Sequence, residues 1–146
     1  MRIFIIGNRY IGKSRLAKKL GDFYHINIFE IDDCSDSNMV HYINNIVRNN
    51  KDFIIVGTVY NNIDLLCNVS DTIIFLNFSN KEIKKCFFKR NIFSLFRNHS
   101  TYFFVLDKFD SLYVLNLLKK NSRKGIILKN NREVKKYLKS VYESVC

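Results

Sequence analysis

The chain has 146 residues, 47% of them hydrophobic, which is enough to bury a core and too many for a disordered chain. No apolar run approaches the length that spans a bilayer, and the four cysteines, Cys34, Cys67, Cys86 and Cys146, form no C-x-x-C pair and no ligand spacing with His25, His41 or His99. The net charge of +11 attracts polyanions, so nucleotides and nucleic acid both fit as partners; the crowding of Asn, Ile, Lys, Phe and Tyr is also the usage of an AT-rich genome, so the charge weighs lightly.

Met1 leads straight into an apolar run with no signal-peptide pattern. With scattered cysteines, this predicts reduced thiols and a cytoplasmic location. The first strand is Ile3-Phe4-Ile5-Ile6. It feeds Gly7-Asn8-Arg9-Tyr10-Ile11-Gly12-Lys13-Ser14, the pattern G-x-x-x-x-G-K-[ST], and then a helical pattern through Arg15 to about Leu20. Strand, glycine turn and helix in this order make a phosphate site. Gly7 and Gly12 are expected to take backbone angles that side chains forbid, turning loop N–H groups toward phosphate oxygens. The helix start adds the positive end of its dipole. Lys13 offers a compact charge to the β- and γ-phosphates, and the Ser14 hydroxyl a ligand for Mg²⁺. The loop interior, Asn8 to Ile11, is bulky. Arg9 can add charge near the phosphates, while Tyr10 and Ile11 are placed to crowd them.

Gly21 reads as the C-cap of the first helix. Ile26 to Ile31 is a second strand ending in Asp32-Asp33. Asp36 or Ser37 caps a helix whose apolar face includes Met39, Val40, Ile43, Ile46 and Val47, broken at Asn49-Asn50-Lys51. Phe53 to Val56, closed by Gly57, reads as a buried parallel strand. Asn61-Asn62 to Asn68 is a short helix or loop. Thr72 to Phe78 is the fourth strand. A helix from about Asn80 carries Lys81, Lys84, Lys85, Lys89 and Arg90. Asn91 to Thr101 reads as a break or mobile connection with Arg97 and His99. An amphipathic helix follows from about Phe103 to Lys120. Gly125 to Leu128 is the last strand, and Asn131 caps a helix to about Val145. The alternation predicts a three-layer α/β/α fold with a five-stranded, mainly parallel sheet and one domain over 1–146. Its ligand crevice lies beyond the carboxyl ends of the strands, where the phosphate loop, Asp32-Asp33, Gly57-Thr58 and Asn77 to Ser79 all fall.

These stretches resemble the small P-loop kinases related to adenylate kinase, and more closely their compact subgroup known as DNA topology modulation proteins. The likeness runs through IIGNRYIGKSRLAKKL, FIIVGTVYNNIDLLCNVSDTIIFLNFS and KGIILKNNREVKKYL, covering most of the chain. It implies a kinase core with strand order 2-3-1-4-5, binding of ATP and Mg²⁺ through Gly7 to Arg15, and a basic lid-like segment at about 81–101. The sequence departs from the subgroup at Val56, where an Asp is common, and in offering only Arg90 and Arg97 as arginines in that segment.

The remaining candidates each keep more than one reading. Asp32 either orients or deprotonates an acceptor hydroxyl and helps hold Mg²⁺, or it caps a helix and lines a solvated turn. The run Lys81 to Arg97 either closes over ATP, with Arg90 and Arg97 on the transferring phosphoryl group, or binds nucleic-acid backbone among Phe87, Phe88, Phe93 and Phe96. Its plain alternative is an amphipathic helix with solvated lysines. The sequence thus predicts either a transferase passing the γ-phosphate of ATP to a small acceptor, such as a nucleoside or nucleotide, or a nucleotide-dependent protein acting on nucleic acid.

Overall fold

In the computed structural model, the described residues are 1–32, 36–58, 62–90 and 111–145, with the side chains of Asp36, Ser37 and Arg90 outside the description. Five strands alternate with six helices among them: β1 (Arg2–Gly7), α1 (Lys13–Tyr24), β2 (Asn27–Glu30), α2 (Asp36–Asn49), β3 (Phe53–Gly57), α3 (Ile63–Val69), β4 (Thr72–Leu76), α4 (Asn80–Arg90), α5 (Ser111–Lys120), β5 (Gly125–Leu128) and α6 (Asn131–Glu143). The sheet is parallel throughout, in the order β2-β3-β1-β4-β5.

The central strands are apolar on both faces because helices cover both. Phe4, Ile6, Phe53, Ile55, Ile73 and Phe75 turn toward α2, α3 and α5. Ile3, Ile5, Ile54, Val56, Ile74 and Leu76 turn toward α1, α4 and α6. Alternation along each strand thus fills two cores. Every strand is parallel to β1, so all five carboxyl ends share one edge of the sheet. The loop between β1 and α1 lies there at the centre of the sheet.

Several boundaries differ from those read in the sequence. Gly21 does not end α1. The helix runs on to Tyr24 and is capped by His25 in the left-handed conformation, whose N–H bonds the Gly21 carbonyl. Gly21 is there for space: a Cβ would stand 2.8 Å from the Ile28 side chain on β2 and 3.1 Å from the Ile26 carbonyl. The fourth strand closes at Leu76, two residues early. Val40 is exposed rather than on the buried face of α2. The cap of α6 is Asn130, not Asn131. Its side chain accepts from Glu133 N at 3.0 Å, and Glu133 reaches back to Lys129 N at 2.7 Å. That helix ends at Glu143. The expected helix over 103–110 and the connection over 91–101 lie outside the described residues.

The reassigned cap gives a direct expectation. Asn130→Ala should lower unfolding free energy by about 1 kcal/mol. Asn131→Ala, on the first turn, should cost less than half of that. Urea unfolding of both variants separates the two positions.

Candidate functional site

The phosphate loop is shaped by two different glycine requirements. Gly12 sits at φ 95°, where no L side chain is comfortable, and opens α1. Gly7 is required for room instead. A Cβ there would meet the Ile11 side chain at 2.7 Å and Leu76 at 3.0 Å. The second strained position of the loop is filled by Tyr10, at φ 64° without being glycine. Neither bulky residue crowds the loop's inner side. Ile11 is buried with Leu16 and Leu76, and the Tyr10 ring packs edge-on against Phe87 of α4 at 5.5 Å.

Lys13 lies under this loop, 6% exposed. Its ammonium has three protons and meets three acceptors: the carbonyls of Gly7 and Asn8, both at 3.0 Å, and the Thr58 hydroxyl at 2.6 Å. The Thr58 hydroxyl in turn donates to Gly7 O at 3.0 Å. Asp32 Oδ2 stands 3.8 Å from the ammonium, and Asp32 Oδ1 accepts the Thr58 N–H. Burial pushes the Lys13 pKa down to about 8. Asp32 and Glu30 counter that shift, and Arg9 adds to it.

The carboxylate of Asp32 therefore bonds across to the residue that follows β3. Ile31 N also bonds Val56 O, carrying the β2–β3 ladder one residue past β2 and fixing where Asp32 emerges. Ser14 is exposed in the first turn of α1, and Asn8 is buried with its side chain accepting from Arg9 N at 2.7 Å. Arg9 and Arg15 are exposed beside the loop. The side chain of Arg90 lies outside the described residues, and so do Arg97 and Asp33. Val56 is buried among Ile5, Ile54 and Leu16.

Thr58 was not singled out among the site residues by sequence reasoning. Its one signal is its place directly after the glycine that closes β3. A groove of about 460 Å³ was missed as well. It runs between α1, α4 and α6, with Leu16, Leu76 and Leu138 as its floor. Its rim carries Arg15, Lys19, Lys89 and Lys135, with Tyr10 at the loop end. These come from three helices far apart in sequence, so no local pattern joins them. An apolar floor with a cationic rim suits a molecule that is flat and apolar at one end and anionic at the other. The loop thus has two flanks: Asp32 and Thr58 toward β2 and β3, the cationic groove toward α4 and α6.

Hard oxygen donors are what Mg²⁺ takes, commonly one or two from protein with the rest from substrate phosphates and water. The Ser14 hydroxyl and the Asp32 carboxylate are of that kind. Among the described residues, no group of three or more His, Cys, Asp and Glu is placed to hold a metal. No described helix is long and apolar enough to cross a membrane.

No family model matches this chain. No curated protein matches it in sequence. Solved structures match its fold. A shikimate kinase from Bacteroides thetaiotaomicron superposes with a TM-score of 0.58 at 13% identity, covering 99% of this chain and 98% of that one. A gluconokinase from Sinorhizobium meliloti 1021 gives 0.62 at 13% identity, covering 99% and 94%. A deoxyadenosine kinase from M. mycoides, solved with dCMP and dCDP bound, gives 0.59 at 18% identity, covering 99% and 98%. The chain has the α/β fold of the P-loop kinases, with the strand order that the family resemblance implied.

Proposed function

We propose that this chain is a single-domain P-loop kinase that binds ATP with Mg²⁺ and transfers the γ-phosphate to a hydroxyl of a small acceptor. The observation that carries the reading is the meeting of Lys13, Thr58 and Asp32 under the loop. A phosphate-holding cation and an acceptor-side carboxylate stand 3.8 Å apart at the carboxyl edge of the sheet. Such a pair is what in-line transfer needs on its two sides.

The roles follow from position. The amides of Gly7 to Arg15 and the Lys13 ammonium hold the β- and γ-phosphates. Ser14 and Asp32 supply protein oxygens to Mg²⁺, which neutralises phosphate charge when bound. Asp32 orients the acceptor hydroxyl or takes its proton. Arg90 and Arg97, in the lid-like segment at about 81–101, serve the charge that develops on the transferring group. The cationic groove beside Tyr10 takes the base and ribose. A second reading, a nucleotide-dependent protein acting on nucleic acid in the manner of DNA topology modulation proteins, is favoured by one feature. Lys81, Lys84, Lys85 and Lys89 on α4 and Lys135, Lys136 and Lys139 on α6 are all exposed, and Lys89 and Lys135 line the groove between the two helices. Incubation with labelled ATP, Mg²⁺, nucleosides, nucleotides and DNA decides between the two by where the label goes.

Lys13→Ala should abolish most of the rise in thermal midpoint that ATP with Mg²⁺ gives the wild type. An unchanged rise removes the loop from nucleotide binding. Asp32→Asn keeps size and removes charge. It should cut transfer on the order of a hundredfold with little change in ATP affinity, and a parallel loss of both would make it chiefly a metal ligand.

The depressed pKa of Lys13 gives a pH signature. Phosphate favours the charged ammonium, so ATP binding takes up a proton once pH passes about 8. From pH 8 to pH 9, affinity should fall by about fivefold as the charged fraction falls from about one half to about one tenth. Lys13→Arg, always charged, should show weaker but pH-independent binding. Calorimetry in two buffers of different ionisation enthalpy reads the proton directly.

A further inference from the structure

The charge of this chain is segregated along its sequence. Residues 27–76 hold seven of the 13 Asp and Glu and only two of the 24 Lys and Arg. This stretch builds β2, α2, β3 and α3, on the flank of the loop where Asp32 emerges, and then β4, which pairs with β1 on its other side. Its two cations are Arg48 and Lys51. Arg48 is in the last turn of α2, and Lys51 precedes β3. Both therefore lie toward the amino ends of the strands. Arg48 is 12 residues along α2 from its start at Asp36, about 18 Å down the helix axis.

The acids divide differently. Asp52 and Asp71 stand at the amino ends of β3 and β4, and Asp71 accepts the Arg2 N–H there at 2.9 Å. Glu30 ends β2 at the crevice, Asp32 follows it, and Asp64 lies exposed in the first turn of α3. Asp33 and Asp36 fall in sequence between Asp32 and the body of α2. Among the described residues, the crevice side of this flank thus carries Glu30, Asp32 and Asp64, with Lys13 beside Asp32 as its nearest cation. The cations gather on the other flank, around Arg15, Lys19, Lys89 and Lys135.

Two physical consequences select the acceptor. A carboxylate accepts hydrogen bonds and donates none, so its partner must bring O–H or N–H groups. A phosphate or carboxylate brought to about 6 Å from one of these acids, at an effective dielectric of about 20, loses on the order of a hundredfold in affinity. We propose that the acceptor is an uncharged, hydroxyl-rich small molecule, of which a nucleoside is the form to test, and that this flank rejects acceptors bearing a phosphate or carboxylate. The proposal rests on the kinase reading above and narrows it.

The test uses the whole chain with ATP and Mg²⁺. Transfer is measured to nucleosides, to the matched nucleoside 5′-monophosphates, and to gluconate and shikimate. The expected kcat/KM for at least one nucleoside exceeds that for its monophosphate and for both hydroxy acids by tenfold or more. Asp64→Lys should raise kcat/KM for the monophosphate several-fold at low salt, and this gain should shrink in 0.5 M salt as charges are screened. A monophosphate or hydroxy acid used better than every nucleoside overturns the acceptor assignment and leaves the kinase reading standing. A nucleoside preference that Asp64→Lys leaves unmoved overturns the electrostatic cause. ATP bound without transfer to any of the panel overturns the kinase reading, and the acceptor assignment falls with it.

Discussion

The centre of this molecule depends on finding partners for one buried ammonium. Lys13 cannot enter a site this dry without three acceptors, since an unsatisfied charge there costs several kcal/mol. The loop supplies two by turning the Gly7 and Asn8 carbonyls inward, and β3 supplies the third through Thr58. That arrangement requires β3 to lie beside β1, which the order β2-β3-β1-β4-β5 provides. It also requires the loop to enter α1 through a left-handed Gly12. The carboxylate of Asp32 then completes the electrostatics from one strand further out. Sheet order, loop shape and the place of Asp32 are three aspects of one solvation problem.

Much of this could be read before any coordinates. The β1 and α1 boundaries around the loop, the buried runs of β3 and β4 and the alternation that makes the sheet parallel are all local signals. Each is written in consecutive residues. What escaped was of two kinds. Gly21 carries the signature of a C-cap, yet it is spent on a close approach to Ile28, a contact set by tertiary packing that a sequence does not display. Asn130 and Asn131 are chemically equal, and only the phase of the helix start decides which one caps it. Thr58 and the cationic groove share a different obstacle. Their meaning comes from residues brought together across the sheet or across three helices, such as Lys13 with Thr58, or Lys19 with Lys89 and Lys135. The roles of Arg90 and Arg97 remain sequence-level expectations.

The two flanks of the loop also show how one fold hosts acceptors of different chemistry. The superposed kinases are named for a hydroxy acid, a sugar acid and a deoxynucleoside, on a common sheet. The strand framework fixes where the loop and Lys13 stand. The residues that follow β2 and β3, and the helices they lead into, are free to set the charge seen by the acceptor. A change of charge there leaves undisturbed the apolar faces that hold the strands together.

Tyr10 links the loop to its surroundings in another way. A left-handed backbone at a non-glycine residue costs roughly 1–2 kcal/mol, and an edge-on aromatic contact returns about 0.5–1.5 kcal/mol. The two nearly cancel, so the contact with Phe87 acts as a latch close to its balance point. Displacement of α4 by an ångström or two would weaken that contact and leave the Tyr10 backbone favouring a different conformation. The loop's geometry is therefore conditional on a helix that never touches its inner side, and that helix carries Lys81, Lys84, Lys85 and Lys89.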